Sequence, residues 1–258
     1  MPEATWKTGL TRIEPGQIHV RGYDITELMG RLTYAQTVYL MLKGELPSEA
    51  EARMMEAILV SSIDHGATPP SVLAARTVLS GGNSLNTSVA AGVMTIGDVH
   101  GGAIEQCARI LQEWSAREGT AEELAEGLVK DLREKKRRMP GFGHRLHGTD
   151  PRTIRLLALA GETGFSGRHI ELGRAVEAEL EKQLGRKLPM NVDGAVGAVI
   201  SDMGFDWRLG KGFFIISRTA GLVAHVYEEW TREKPMRRLG PPPWEYDGPE
   251  VRKLESPS

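Results

Sequence analysis

The sequence predicts a mostly α fold carrying one small β-hairpin near its start. Three observations lead there. Apolar residues recur at helical spacing in one segment after another from residue 34 to residue 232. Two of those segments open on a capping box, a serine or threonine followed three residues later by glutamate. Only one stretch, TRIEPGQIHV, alternates as paired strands do, and no other convincing strand is expected.

In that stretch Pro15 and Gly16 supply the centre of a type II turn. TYAQTVYLMLKG is apolar at helical spacing, with Gly44 as its stop. SEAEARMMEAILVSSI opens on the Ser48 and Glu51 capping box, and its apolar stripe runs through Met54, Met55, Ile58 and Leu59 toward Ile63. PPSVLAARTVLSGG is a shorter helix between prolines and glycines. In NSLNTSVAAGVMTIGDVHGG, Leu85, Val89 and Val93 fall four apart, and Ala90, Ala91 and Gly92 beside them predict a buried, closely packed helix. AIEQCARILQEWSARE continues beyond the glycine pair. TAEELAEGLVKDLREKKRR has the second box, Thr120 and Glu123, and a stripe of Leu124, Leu128 and Leu132.

Asp150 and Pro151 read as the N-cap and first position of the helix in RTIRLLALAGETG. RHIELGRAVEAELEKQLG, NVDGAVGAVISDMG and WRLGKGFFIISRTAGLVAHVYEEWTRE complete the helical series. The remaining LGPPPWEYDGPEVRKLESPS is proline-rich and aperiodic, so an extended or partly disordered tail is expected. Neither an internal repeat nor an interdomain linker is visible.

The chain has 258 residues, enough to bury most of its apolar surface without disulfides or metals. Cys107 is the single cysteine, so no intrachain disulfide can form and a reduced, cytoplasmic protein is expected. The opening MPEATWKTGL lacks the basic-then-apolar pattern of a secretory signal. No apolar run approaches the ~20 residues that span a bilayer. With 32 basic against 34 acidic residues the net charge is −2, a poor footprint for nucleic acid, so the run REKKRR needs a local explanation. Thirty glycines, against a usual ~7%, favour close backbone approaches.

Three histidines sit beside glycine where segments read as helix ends: His65 in IDHGA, His100 in DVHGGA and His144 in FGHRL. Each has a plain reading as a surface or cap residue. The glycines also allow a ligand to approach, and a helix end can fix an imidazole's pKa and tautomer. Asp193 precedes an apolar helical stretch, as an N-cap or as a carboxylate base, and the two roles are compatible. Arg152 and Arg218 lie in apolar helical segments, where an arginine is costly unless it meets a carboxylate or an anionic ligand. Two guanidinium groups suit a small dicarboxylate. A Walker-type loop, a dinucleotide fingerprint and HExxH are all absent, and one cysteine cannot form a cysteine-cluster zinc site. No metal is expected.

RGYDITEL with KGELPSEAE, then DVHGGAIE, MPGFGHRLHGTDPR, NVDGAVGAV and SRTAGLVAH, in this order, resemble the citrate synthase superfamily over nearly the whole chain. The resemblance implies a citrate synthase-like helical fold with two subdomains around a cleft. Residues 1–258 would form one domain, with a smaller subdomain at roughly 110–215 and an extended tail at 240–258. It also implies a homodimer. The chemistry implied is making or breaking the bond between the acetyl-CoA methyl carbon and the oxaloacetate carbonyl. His100 resembles the donor to the thioester enolate oxygen, His144 the group that exchanges a proton with the carbonyl or hydroxyl oxygen, and Asp193 the base at the methyl carbon. His65, Arg152 and Arg218 look like holders of the oxaloacetate part. Pro140, Gly141, Phe142, Gly143, Arg145, Lys187 and Asn191 look like the CoA surface. The family's partner-subunit arginine has Lys234 in its place before Pro235, with Arg237 or Arg238 as substitutes.

Only one helix fits between Pro47 and His65, a spacing that resembles the short citryl-CoA lyase branch and the C-terminal module of ATP-citrate lyase. IDHG and MTIGD…GGA point the same way, whereas the histidine at 100 is as in the synthases. The expectation is therefore a lyase that splits citryl-CoA into acetyl-CoA and oxaloacetate. The alternative is a compact citrate or 2-methylcitrate synthase. A nucleic-acid binder using REKKRRMPGFGHR and a non-catalytic CoA-binding relative are the rivals from other classes. No cofactor beyond the CoA thioester is implied, and a separate citryl-CoA synthetase is left open as a partner.

Overall fold

The computed structural model describes residues 6–143, 150–237 and 245–253. The chain enters through β1 (Thr11–Glu14) and β2 (Gln17–Val20), paired antiparallel with Thr11 opposite Val20 and Ile13 opposite Ile18. Gly16, at φ 76°, takes the left-handed position that the type II turn requires. The sheet has one strand more than expected: β3 (Tyr23–Asp24) adds antiparallel to β2 in the order β1-β2-β3. Two residues are too few to show an alternation. Asp24 then caps the single-turn helix α1 (Ile25–Leu28), accepting from the Thr26 N–H.

Helices follow in the expected places. α2 (Tyr34–Lys43) ends on Gly44 at φ 89°, and α3 (Glu49–Ser61) starts from the Ser48 and Glu51 capping box. Met54, Met55, Ile58 and Leu59 are buried, but Ile63 lies past the helix end and is exposed. α4 (Pro70–Ser80) has Pro70 at its first position, and α5 (Leu85–Met94) crosses it closely. A Cβ on Gly92 would stand 2.8 Å from the Ser71 carbonyl oxygen. α5 is closely packed as expected but less buried than expected, because only Ser88 and Gly92 are fully covered. Val89 and Val93 are half-buried against Val72, Ala75, Leu222 and Val226, while Leu85 and Ala90 face outward.

α6 (Ala103–Ser115) begins right after Gly102, and α7 (Ala121–Glu134) after the Thr120 and Glu123 box, with Leu124, Leu128 and Leu132 inward. α8 (Pro151–Thr163) has Asp150 as its N-cap and Gly164 as its C-terminal glycine. α9 (Arg168–Leu184) is capped from a distance, because Asp202 accepts from the N–H groups of Gly167, His169 and Ile170. α10 (Val192–Asp202) is apolar all round and buried from Gly194 through Ser201, as a central helix must be. Its N-cap is Asn191 rather than Asp193, because the Asn191 side chain reaches two N–H groups of the first turn and Asp193 already lies inside it. After a 3₁₀ turn at Trp207–Leu209, α11 (Gly210–Arg232) runs along α4, α5 and α6.

Among the described residues three apolar clusters result: a large one centred on α6 and α10, a second under α4 and α11, and a third beneath the sheet at Val20, Leu28 and Leu40. Residues 245–253 of the expected tail form neither helix nor strand, and the rest of that tail lies outside the described residues. Among the described residues no helix is long and apolar enough to cross a membrane.

Candidate active site

The site grows from the N-terminus of α10. Asn191 Oδ1 accepts from the N–H groups of Asp193 (3.0 Å) and Gly194 (3.3 Å). Its Nδ2 donates to the Gly143 carbonyl at 2.7 Å. The Asn191 N–H donates to the Gly141 carbonyl at 2.9 Å, and the Gly143 N–H to the Pro189 carbonyl at 2.7 Å. The PGFG loop is thereby laid antiparallel to 189–191, with Phe142 opposite Met190. Glycine is required at the crossing: a Cβ on Gly141 would stand 2.6 Å from Gly194 Cα. Asn191, expected to face CoA, is thus engaged in building the loop that carries Phe142 and Gly143. Pro140 and Phe142 are half-buried there, and Lys187 is exposed on the segment leading into it.

Asp193 keeps some solvent exposure yet sits at depth. Burial pushes its carboxyl above the usual carboxylate range, more than the positive charges of Arg152 and Arg218 pull it back, and Asp150 adds to the rise. Cys107 lies beside it, its thiol pushed up to about 12 by burial and then by the Asp193 charge.

His100 sits in a turn closed by reciprocal backbone bonds with Gly97, at 3.0 and 3.1 Å. Gly101, at φ 81°, lets that turn press on Phe214. The His100 Nε2 lies 2.8 Å from Ser71 Oγ, and the ring stands edge-on to Phe214 at 5.7 Å. Burial, and then the Arg218 charge, push its pKa below the ordinary histidine value, so the ring is neutral near pH 7.

Arg218, in the middle of α11, is 2% exposed. Its Nε donates to the Ser62 carbonyl at 3.0 Å, its guanidinium lies 4.7 Å over the Phe214 ring, and Nη1 is buried with no hydrogen-bond partner among the described residues. A buried guanidinium with a free donor fits an anionic oxygen. Arg152, the second residue of α8, grips Asp150 through Nη2 to Oδ2 (2.8 Å) and Nε to Oδ1 (3.1 Å), and reaches the Ser61 carbonyl at 3.3 Å. Asp150 is 1% exposed, so this is a structural pair as much as a ligand-facing one.

Arg218 is the hub. Its charge is felt by His100 and Asp193, and it in turn feels Asp64, Asp193 and Arg152. Of the expected site residues, His100, Arg152, Asp193 and Arg218 therefore converge. His65 is exposed in the turn that follows α3, next to Asp64 and close behind Ser62. Arg237, expected to act in a partner's site, is held elsewhere in its own chain. Its Nε bonds Glu229 at 2.6 Å and its N–H bonds Ser80 Oγ at 2.6 Å, beside Arg76. Glu229 lies eleven residues beyond Arg218, about 16 Å along α11. His144, Arg145 and Arg238 lie outside the described residues. Ser71, Phe214, Asp64 and His225 were not anticipated. Each acquires its place by pairing with a residue distant in sequence, and no local pattern announces that. Among the described residues no group of three or more His, Cys, Asp or Glu could hold a metal.

Helical fold and polar cluster together define a class, and the comparisons agree. The family model for the citrate synthase C-terminal domain matches residues 2–53 and 47–239, and the chain belongs to the citrate synthase family. Within it, the chain is similar to the structure of citryl-CoA lyase from Hydrogenobacter thermophilus, with 50% identity and a TM-score of 0.90 over 98% of both chains. ATP citrate lyase from Methanothrix soehngenii shares the fold, with a TM-score of 0.83 at 23% identity over 97% of this chain and 43% of that one. Citrate synthase 2 of Bacillus subtilis (strain 168) is 30% identical over 230 residues, 85% of this chain. The chain spans 57% of that relative's length.

Proposed function

We propose that the chain is a citryl-CoA lyase, cleaving citryl-CoA to acetyl-CoA and oxaloacetate. The observation that carries this reading is the buried Arg218, its Nη1 without a hydrogen-bond partner among the described residues, coupled to both His100 and Asp193. A carboxylate of the oxaloacetate part satisfies that donor, with Arg152 and His65 as further holders. The likeness to a citryl-CoA lyase along the full chain supports the lyase over the synthases, which are less similar in sequence.

The roles follow from the protonation states. His144 accepts the tertiary hydroxyl proton as the carbon–carbon bond breaks. The electron pair moves into the thioester, whose enolate oxygen needs a donor. Neutral His100 has one ring proton. If Nε2 accepts from the Ser71 hydroxyl, that proton is on Nδ1 and is available to the enolate. Asp193, its carboxyl raised by burial, holds the proton that the enolate carbon takes. The PGFG loop lies along the CoA thioester. This chemistry calls for no cofactor beyond the thioester itself.

The exposed apolar residues Leu73, Met94, Tyr227 and Trp230 on α4, α5 and α11 support a homodimer. Arg237 is occupied by Glu229, so Arg238 is the arginine we assign to a partner's site. A smaller subdomain at roughly 110–215 and a cytoplasmic setting complete the proposal.

Purified protein given citryl-CoA tests it. Oxaloacetate, read by coupled reduction with malate dehydrogenase, supports the lyase. Free citrate and CoA in its place assign a compact citrate synthase.

A further inference from the structure

The turn that carries His65 is fastened to α11 in part by a pair, Asp64 and His225, to which no role has yet been given. α3 ends at Ser61, and the carbonyls of its last turn and beyond are taken up one after another. Ser217 Oγ donates to the Leu59 carbonyl, Arg152 to that of Ser61 and Arg218 to that of Ser62. Gly221 then brings α11 against the Ile63 carbonyl so closely that no Cβ fits between them.

Asp64 completes the turn. Its Oδ2 accepts from the Gly66 N–H at 3.0 Å, with Gly66 at φ 79°. Its Oδ1 faces His225 Nε2 at 2.9 Å. One carboxylate thus folds the Asp64-His65-Gly66 turn with one oxygen and moors it to α11 with the other. Two turns along the same helix from His225 is Arg218. Glu228 stands 3.8 Å from the other ring nitrogen of His225 and is itself tied to Arg232 and Arg76.

We propose that His225 is a positioning residue: through Asp64 it fixes the orientation of His65 relative to Arg218, and so sets affinity for the oxaloacetate part of the substrate. Asp64 is 42% exposed on its side chain, so the pair contributes little to overall stability, and its consequence is geometric. This rests on the reading of His65 as a holder of the oxaloacetate part, given above.

Calorimetric titration of the full chain with oxaloacetate, and separately with CoA, tests it. His225→Ala is expected to weaken oxaloacetate binding about tenfold while leaving CoA binding and the melting temperature close to wild type. His225→Gln, whose amide nitrogen sits near the Nε2 position, restores most of the affinity. Asp64→Asn, which keeps an acceptor for Gly66 but loses the charge that faces His225, behaves like the alanine variant. Unchanged oxaloacetate binding in His225→Ala overturns the proposal. So does a parallel loss of both ligands and of melting temperature that glutamine does not repair. If the wild-type chain itself binds no oxaloacetate, the reading of the site beneath the proposal fails, and the proposal with it.

Discussion

Alanine at Gly194 tests the crossing on which the site is built. A Cβ there overlaps the Gly141 carbonyl and comes 2.7 Å from Met190 Cγ. Met190 can rotate away, but a backbone carbonyl cannot, so the loop at 140–143 must leave α10. Overpacking of this kind costs about 1–3 kcal/mol. Losing the bond from Asn191 N–H to Gly141 adds about 1 kcal/mol, and alanine's better helix propensity returns up to ~1 kcal/mol. The net loss is about 1–3 kcal/mol. At ~2.1 cal/mol/K of unfolding entropy per residue over this chain, that lowers Tm by about 2–6 °C. Because the displaced loop is the proposed CoA surface, the KM for citryl-CoA should rise while binding of free oxaloacetate is unchanged. Circular dichroism melts and steady-state kinetics read both. A variant with wild-type Tm and wild-type KM would refute the crossing argument.

Four further outcomes follow from the site. Asp193→Asn should lower kcat by about 10²–10⁴. The same variant should gain stability over wild type as pH rises. A carboxyl raised by burial stabilises the fold in its protonated form below the unfolded value of ~3.9, and that contribution is lost as pH climbs through the higher folded value. Tm measured from pH 4 to pH 8 checks the sign, and a gap that narrows with pH contradicts it. Ser71→Ala should cut kcat about tenfold with little change in KM, because it frees the His100 tautomer. NMR titration should find His100 losing its proton below the ordinary histidine pKa, in keeping with its burial and the nearby Arg218 charge.

Much of this was legible in the sequence because it is local. Capping boxes at Ser48 and Thr120, the Asp150-Pro151 start and the glycine stops act within four residues, and the structure has them where the pattern places them. Short-range signals failed where tertiary pairing decides. Two residues of β3 become a strand only because β2 is beside them. Asp193 lost the N-cap to Asn191, whose neighbours Gly141 and Gly143 are about fifty residues away. The stripe on α5 reads as core, although Leu85 faces outward and Val89 and Val93 are only half-buried in the single chain. At the site, His100 and Arg218 were visible as odd polar groups in glycine-rich or apolar stretches. Their partners Ser71 and Asp64, and His225 behind Asp64, were invisible, because nothing about an ordinary serine or an aspartate before a histidine reveals what it will touch.

The central claim is that the bond broken is carbon–carbon and that the enolate so formed is protonated from the enzyme. Citryl-CoA should therefore be turned over in D₂O and the products examined by mass spectrometry. The account predicts equal amounts of oxaloacetate and acetyl-CoA, with one deuterium in each acetyl methyl group at early times. Citrate and free CoA, formed without an acetyl-CoA product, would contradict it.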